Sequence, residues 1–164
     1  MSAAWDRVRR RHRLVESALD LVRVGGVDEL AAMDAQIRAE YAEEGFDGFL
    51  RDVQRRWHRA FDARLDGVLE SGVADTRAAV LMLWQHLAQT HPQTRLVLDA
   101  YADHPALQPA ERRHGDMLQA ATGVDLAALP PVRRASRERW RPSCPLASAR
   151  RRLARRQDSR ARIA

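Results

Sequence analysis

The chain reads as all-α: a helical bundle of about six helices at residues 1–129, followed by an Arg-rich basic tail at 130–164. Three observations predict this. Apolar residues recur at three and four positions along most of residues 1–129. Glycine and proline cut that periodic stretch into helix-length pieces. No apolar–polar alternation persists and β-branched residues are scattered, so no strand is predicted.

The first helix is expected from about Ala3 to Arg23. Ser2 stands where a cap belongs, and Asp6 lies in the first turn, where negative charge suits the helix dipole. Trp5, Val8, His12, Val15, Leu19 and Val22 form one stripe, and Gly25-Gly26 ends it. A second helix, about Glu29 to Glu43, is expected to be capped by Asp28 and to bury Leu30, Met33, Ile37 and Tyr41. The third and longest, about Asp47 to Ser71, carries a seam of Phe46, Phe49, Leu50, Val53, Trp57, Ala60, Phe61, Leu65 and Val68. Its other face places Asp47 and Arg51, and Asp52 and Arg56, four apart, where ion pairs support a helix.

The fourth helix, 77–91, holds the longest apolar run and is predicted to be the buried centre of the bundle. At ~100° per residue, Val80, Leu83, Trp84, Leu87 and Ala88 fall on one broad arc, opposite Met82, Gln85, His86 and Gln89. Pro92 and Pro105 punctuate the chain beyond it, each acceptable at the start of a helix. A fifth helix is read over Pro92 to Asp103, burying Leu96, Val97, Ala100 and Tyr101. A sixth runs from about Pro109 to Thr122 with Gly123 as its stop. Beyond Pro130-Pro131 the composition changes to Arg, Ser, Pro and Ala. Such a segment buries too little apolar surface to offset its ordering entropy and is expected to be disordered when free.

Charge is separated along the chain. The net charge is +6, and all 28 basic residues are Arg. Residues 1–13 carry five Arg against Asp6, a net +4; residues 14–129 are at −8; residues 130–164 carry twelve Arg against Glu138 and Asp158, a net +10. An acidic body with basic ends points to interaction arms. Cys144 is the only cysteine, which excludes an intramolecular disulfide and fits a reducing compartment. No run reaches the ~18 apolar residues of a membrane span, and Arg and Asp interrupt the first apolar positions too often for a signal peptide. The reading is cytoplasmic, with no membrane partner.

The chemistry-bearing motifs are sparse. Glu111 and His114 make one Glu-x-x-His, but a di-iron bundle needs two such pairs and two further Glu, and no second copy is present. Asp99, Asp103 and His104 gather near a helix end and read as a solvated face, as does His58 on the polar side of the third helix. No Gly-x-Ser-x-Gly, phosphate loop or cysteine cluster occurs. No enzyme activity, metal or cofactor is therefore expected. The remaining signal is the basic segments: Arg9, Arg10 and Arg13 on the first helix, and Arg133, Arg134, Trp140, Arg150, Arg151, Arg152, Arg155 and Arg156 in the tail. Arg clusters bind phosphate and a neighbouring Trp can stack on a base, so nucleic acid is the expected partner. The alternatives are a helical adaptor for a protein partner or a homo-oligomer, and a small-molecule sensor with a pocket near Trp57 and Trp84.

One resemblance bears on this. RHRLVESALDLVRVGGVDEL looks like the first helix of TetR-type regulators. FDGFLRDVQRRWHRAFDARLDGVLE resembles the long helix linking their reader head to the ligand-binding bundle, and HLAQTHPQTRLVLDA is similar to a later bundle helix. The resemblance covers about half the chain by pattern and implies a DNA-binding regulator. Between Leu30 and Phe46, however, only one helix fits, where that family needs a helix-turn-helix and its recognition helix.

Overall fold

The computed structural model describes residues 3–125, and every regular element among them is helical. In order these are α1 (Ala3–Gly25), a 3₁₀ run (Val27–Met33), α2 (Asp34–Tyr41), a 3₁₀ turn (Ala42–Glu44), α3 (Gly45–Glu70), α4 (Thr76–Thr90), α5 (Pro92–Ala100) and α6 (Gln108–Thr122). The expected cap at Ser2, the boundary at Pro130 and the tail lie outside the described residues.

The core is built on α3, not on the helix at 77–91. Phe49, Leu50, Val53, Gln54, Trp57, Phe61 and Leu65 are all buried and span an arc of about 160° at 100° per residue. With 26 residues, α3 is about 39 Å long. That length and arc let it pack against α1, α2, α4 and α5 along successive stretches, and it receives α6 through Gln54, His58 and Asp62. Helix α4 packs chiefly on α3 and α5. Its expected arc is buried, but Met82 on the far side is 63% exposed. A long apolar run reports how wide a buried face is, not how many neighbours share it.

Helix α4 is capped by Asp75. The Asp75 carboxylate accepts from the Ala78 amide at 2.9 Å, satisfying one donor of the first turn. Trp84 meets Trp57 edge to face with centroids 5.2 Å apart, and Phe61 at 5.9 Å. The Arg95 guanidinium lies 5.2 Å from both indole centroids and is held by Asp99 at 2.7 Å.

The segment between α1 and α3 departs from one regular helix. Gly26 has φ +90° and starts a 3₁₀ run, so Asp28 caps nothing. The buried set is as expected: Leu30 and Met33 align at the three-residue repeat of a 3₁₀ helix, then Ile37 and Tyr41 follow at four. Ala42 breaks the helix with φ +44°, a region that L side chains resist. Gly48 lets α3 pass close beneath α2, since a Cβ there would stand 2.7 Å from the Tyr41 ring. The buried Tyr41 hydroxyl donates to Asp52 at 2.8 Å, and burial pushes its pKa up to about 12. This arrangement between Leu30 and Phe46 contains no helix-turn-helix.

Three further expectations change. The stripe of α1 is buried only from Val15 onward; Trp5 and Val8 are 54% and 56% exposed, because no other described element reaches beneath the first turns. Asp52 pairs with Arg55 rather than Arg56, which reaches Glu16 on α1 instead. In α5 the buried face is Thr94, Val97 and Leu98, while Leu96 and Ala100 are exposed.

Two outcomes test this packing. Trp84→Ala is expected to lose about 3–5 kcal/mol of unfolding free energy, because a large buried aromatic leaves a cavity. A loss under about 1 kcal/mol in equilibrium denaturation would detach α4 from the core. Ala42→Gly is expected to stabilise by up to about 1 kcal/mol, the reverse of glycine's usual effect near a helix, because it relieves the positive φ. A lower urea midpoint for that variant would contradict the strain.

Candidate functional site

The amino-terminal turns of α1 extend past the core as an amphipathic rod with basic sides. Five arginines in seven positions take two different fates there. Arg10 turns to α2 and pairs with Glu40 at 3.1 Å. Arg11 pairs with Glu44 at 3.0 Å and lies over the Tyr41 ring at 4.4 Å. These two fasten the rod to α2 and the 3₁₀ turn. Arg7, Arg9 and Arg13 are exposed and form no ion pair among the described residues. Arg9 and Arg13 follow Trp5 at steps of four, so the three share one ridge. Along it the Arg9 guanidinium lies 5.5 Å from the Trp5 ring centroid. The ridge offers an aromatic face and two unneutralised guanidiniums, groups that stack on bases and bind phosphate.

Of the residues expected to touch nucleic acid, the structure places Arg9 and Arg13 on this ridge and turns Arg10 to Glu40. Arg133, Arg134, Trp140, Arg150, Arg151, Arg152, Arg155 and Arg156 lie outside the described residues. Trp5 belongs to the ridge although its spacing reads as core, and nothing in the sequence marks it as exposed.

A second polar assembly joins α3 to α6. The spacing of Glu111 and His114 puts both on one face of α6, opposite His58 and Asp62, which are four apart on α3. His114 Nε2 is 2.9 Å from Asp62 Oδ1, and His58 Nε2 is 3.5 Å from Glu111 Oε2. The two imidazoles stack with centroids 4.0 Å apart and planes 19° from parallel. Gln54 donates from Nε2 to the Leu107 carbonyl at 3.0 Å and to Glu111 at 3.1 Å. His58 is therefore not the solvated residue that its polar setting suggests. Its hydrogen bond, seconded by that of Gln54, holds the Glu111 carboxyl below the usual range against the opposing effect of burial. Burial, then the His58 charge, lower the His114 pKa.

The rings lie face to face, so their nitrogen lone pairs run side by side instead of meeting at one point. Among the described residues no group of three or more His, Cys, Asp or Glu side chains is arranged to hold a metal ion. Asp99, Asp103 and His104 do not converge either: Asp99 holds Arg95, and His104 turns to Asp47 at 3.8 Å. The space suggested for a ligand near Trp57 and Trp84 is filled by the two rings, Phe61 and Arg95. An open cleft of about 390 Å³ lies elsewhere, between α1 and α2, lined by Arg10, Arg13, Leu14 and Glu40 among others. No described helix is long and apolar enough to cross a membrane.

The chain matches no protein-family model, no curated protein and no solved structure.

Gln54→Ala is expected to loosen α6 selectively. It strips the buried Leu107 carbonyl and Glu111 of their shared donor, a loss of about 1–3 kcal/mol. Hydrogen exchange should quicken across 108–122 while the amides of 49–65 stay protected. Equal quickening in both stretches would show that Gln54 supports the whole core instead.

Proposed function

We propose that this chain is a non-enzymatic helical binding protein that contacts nucleic acid through the basic start of α1 and the Arg-rich segment 130–164. The observation that carries the proposal is the exposed Trp5–Arg9–Arg13 ridge, whose guanidiniums form no ion pair among the described residues. The tail contributes Arg133, Arg134, Trp140 and the clusters Arg150–Arg152 and Arg155–Arg156. Binding of this kind rests on phosphate charge and stacking, so it discriminates little between sequences. A reducing, cytoplasmic setting suits Cys144 as the only cysteine.

An adaptor or homodimer built on α1 is the second reading, since Trp5, Val8, Leu21 and Val24 are all exposed. At 100° per residue the first two and the last two fall on opposite sides of the helix. They form no single apolar strip, and this favours the nucleic-acid reading.

Titration of the full chain into a short duplex and a single strand tests the proposal. Affinity should fall steeply with salt, by roughly 0.9 log units per log unit of salt for each duplex phosphate neutralised. Replacing Arg9 and Arg13 by Gln should lower the slope by about 2. Substituting Gln at Arg150, Arg151, Arg152, Arg155 and Arg156 should remove most of the affinity. Trp5→Ala should weaken single-strand binding by about 1–3 kcal/mol and duplex binding less. No measurable affinity at about 50 mM salt would overturn the proposal; a concentration-dependent dimer under the same conditions would put the adaptor in its place.

A further inference from the structure

We propose that the face-to-face pair His58 and His114 is a proton-operated latch: acidification through the histidine range releases α6 from α3 while the rest of the bundle stays folded. The proposal is independent of nucleic acid binding.

The geometry gives α6 few other means of attachment. Within the helix only His114 and Leu118 are buried, and Leu107 and Val124 at its two ends complete its apolar anchorage. By contrast, α3 buries eight of its residues. Half of what α6 buries within itself is thus a titratable group. Its polar attachments are the Asp62–His114 and His58–Glu111 pairs and the two hydrogen bonds from Gln54.

Two protonation steps act differently on this assembly. From α3 the His114 ring faces Asp62 and His58, and from its own helix Glu111. Helix α5 adds Arg95, whose positive charge reaches Glu111. With both rings neutral, two carboxylates stand against two imidazoles. One proton produces a single imidazolium with Asp62 and Glu111 beside it. A second proton places two cations face to face at 4.0 Å. One of them, His114, has a side chain only 5% exposed, so solvent screens the repulsion poorly.

Proton counting sets the sign. The folded state holds the His114 proton less tightly than the unfolded chain does. Below the ordinary value of 6.5 the released state therefore binds more protons, and docking weakens as pH falls. Above that value the contribution is fully present.

Hydrogen exchange of the full-length protein at about pH 7.5 and about pH 5.5, corrected for intrinsic rates, is the test. Protection over 108–122 should fall at least about tenfold at the lower pH, with protection over 49–65 unchanged. His58→Gln should reduce that pH dependence, because no second cation can form and only the burial of His114 still opposes its protonation. Proton titration by NMR should show the His114 ring taking up its proton at a higher pH in the variant than in the wild type, since the His58 charge that opposes it is gone. Unchanged protection of α6, loss of protection in 49–65 in step with it, or undiminished pH dependence in His58→Gln would each overturn the latch.

Discussion

Burial of one side of α3 is the constraint on which the rest of the fold depends. Its apolar positions from Phe49 to Leu65 are shared out along the helix axis: Phe49 meets Tyr41 of α2, and Trp57 and Phe61 meet Trp84 of α4. Full burial of side chains this size contributes about 1.5–3 kcal/mol each. The seam outweighs the surface ion pairs around it, which contribute at most about 1 kcal/mol apiece. The pairs instead set direction. Arg56 to Glu16 ties α3 to α1, and Arg10 to Glu40 and Arg11 to Glu44 tie α1 to the segment before α3.

Aromatic packing at the Trp57–Trp84 contact carries a polar cost. Both indole N–H groups are buried without an acceptor among the described residues. Each omission costs about 1–3 kcal/mol. Arg95 offsets part of it by lying over both rings, where the guanidinium meets their negative faces and is itself neutralised by Asp99. The charged group sits beside the hydrophobic centre because its fork, its ring contacts and its carboxylate partner are satisfied together.

Helix identity and the buried faces of α3 and α4 were legible in the sequence, because both follow from a 3.6-residue repeat within one element. Relations between elements were not. Periodicity in α1 runs unbroken from Trp5 to Val22, yet the stripe is buried only from Val15 onward, and nothing in it records how far a neighbour's apolar face reaches. Ala42 has no special side chain, so the helix break at its positive φ left no trace. His58 and His114 are 56 positions apart in the chain. Only the Glu111–His114 half of their assembly forms a recognisable spacing, and the four-residue spacing of His58 and Asp62 looks like any polar face. Arg9 and Arg13 were found by charge. Their separation from Arg10 and Arg11 required knowing which way α2 lies.

Under the proposed nucleic-acid binding, the exposed start of α1 avoids an electrostatic conflict. Residues 14–129 carry a net −8, and a phosphate backbone close to them would be repelled. Many arginines of this region are already held by neighbouring acids, among them Arg38 by Asp34, Arg55 by Asp52 and Arg95 by Asp99. They neutralise the body without making it attractive to an anion. Trp5 stands ten positions before Val15, the first buried residue of α1, or about 15 Å along the helix axis. That exceeds the Debye length of about 8 Å at physiological salt. The tip of the ridge at Trp5 is therefore screened from much of the body's negative charge, while Arg10 and Arg11, on the side of α1 that faces α2 and the 3₁₀ turn, pair with Glu40 and Glu44. An α1 of the same composition folded flat against the bundle would place Arg9 within reach of the same acids and lose its charge to them. The exposed Trp5 and the unfilled stripe beneath it are the hydrophobic cost of holding those guanidiniums apart.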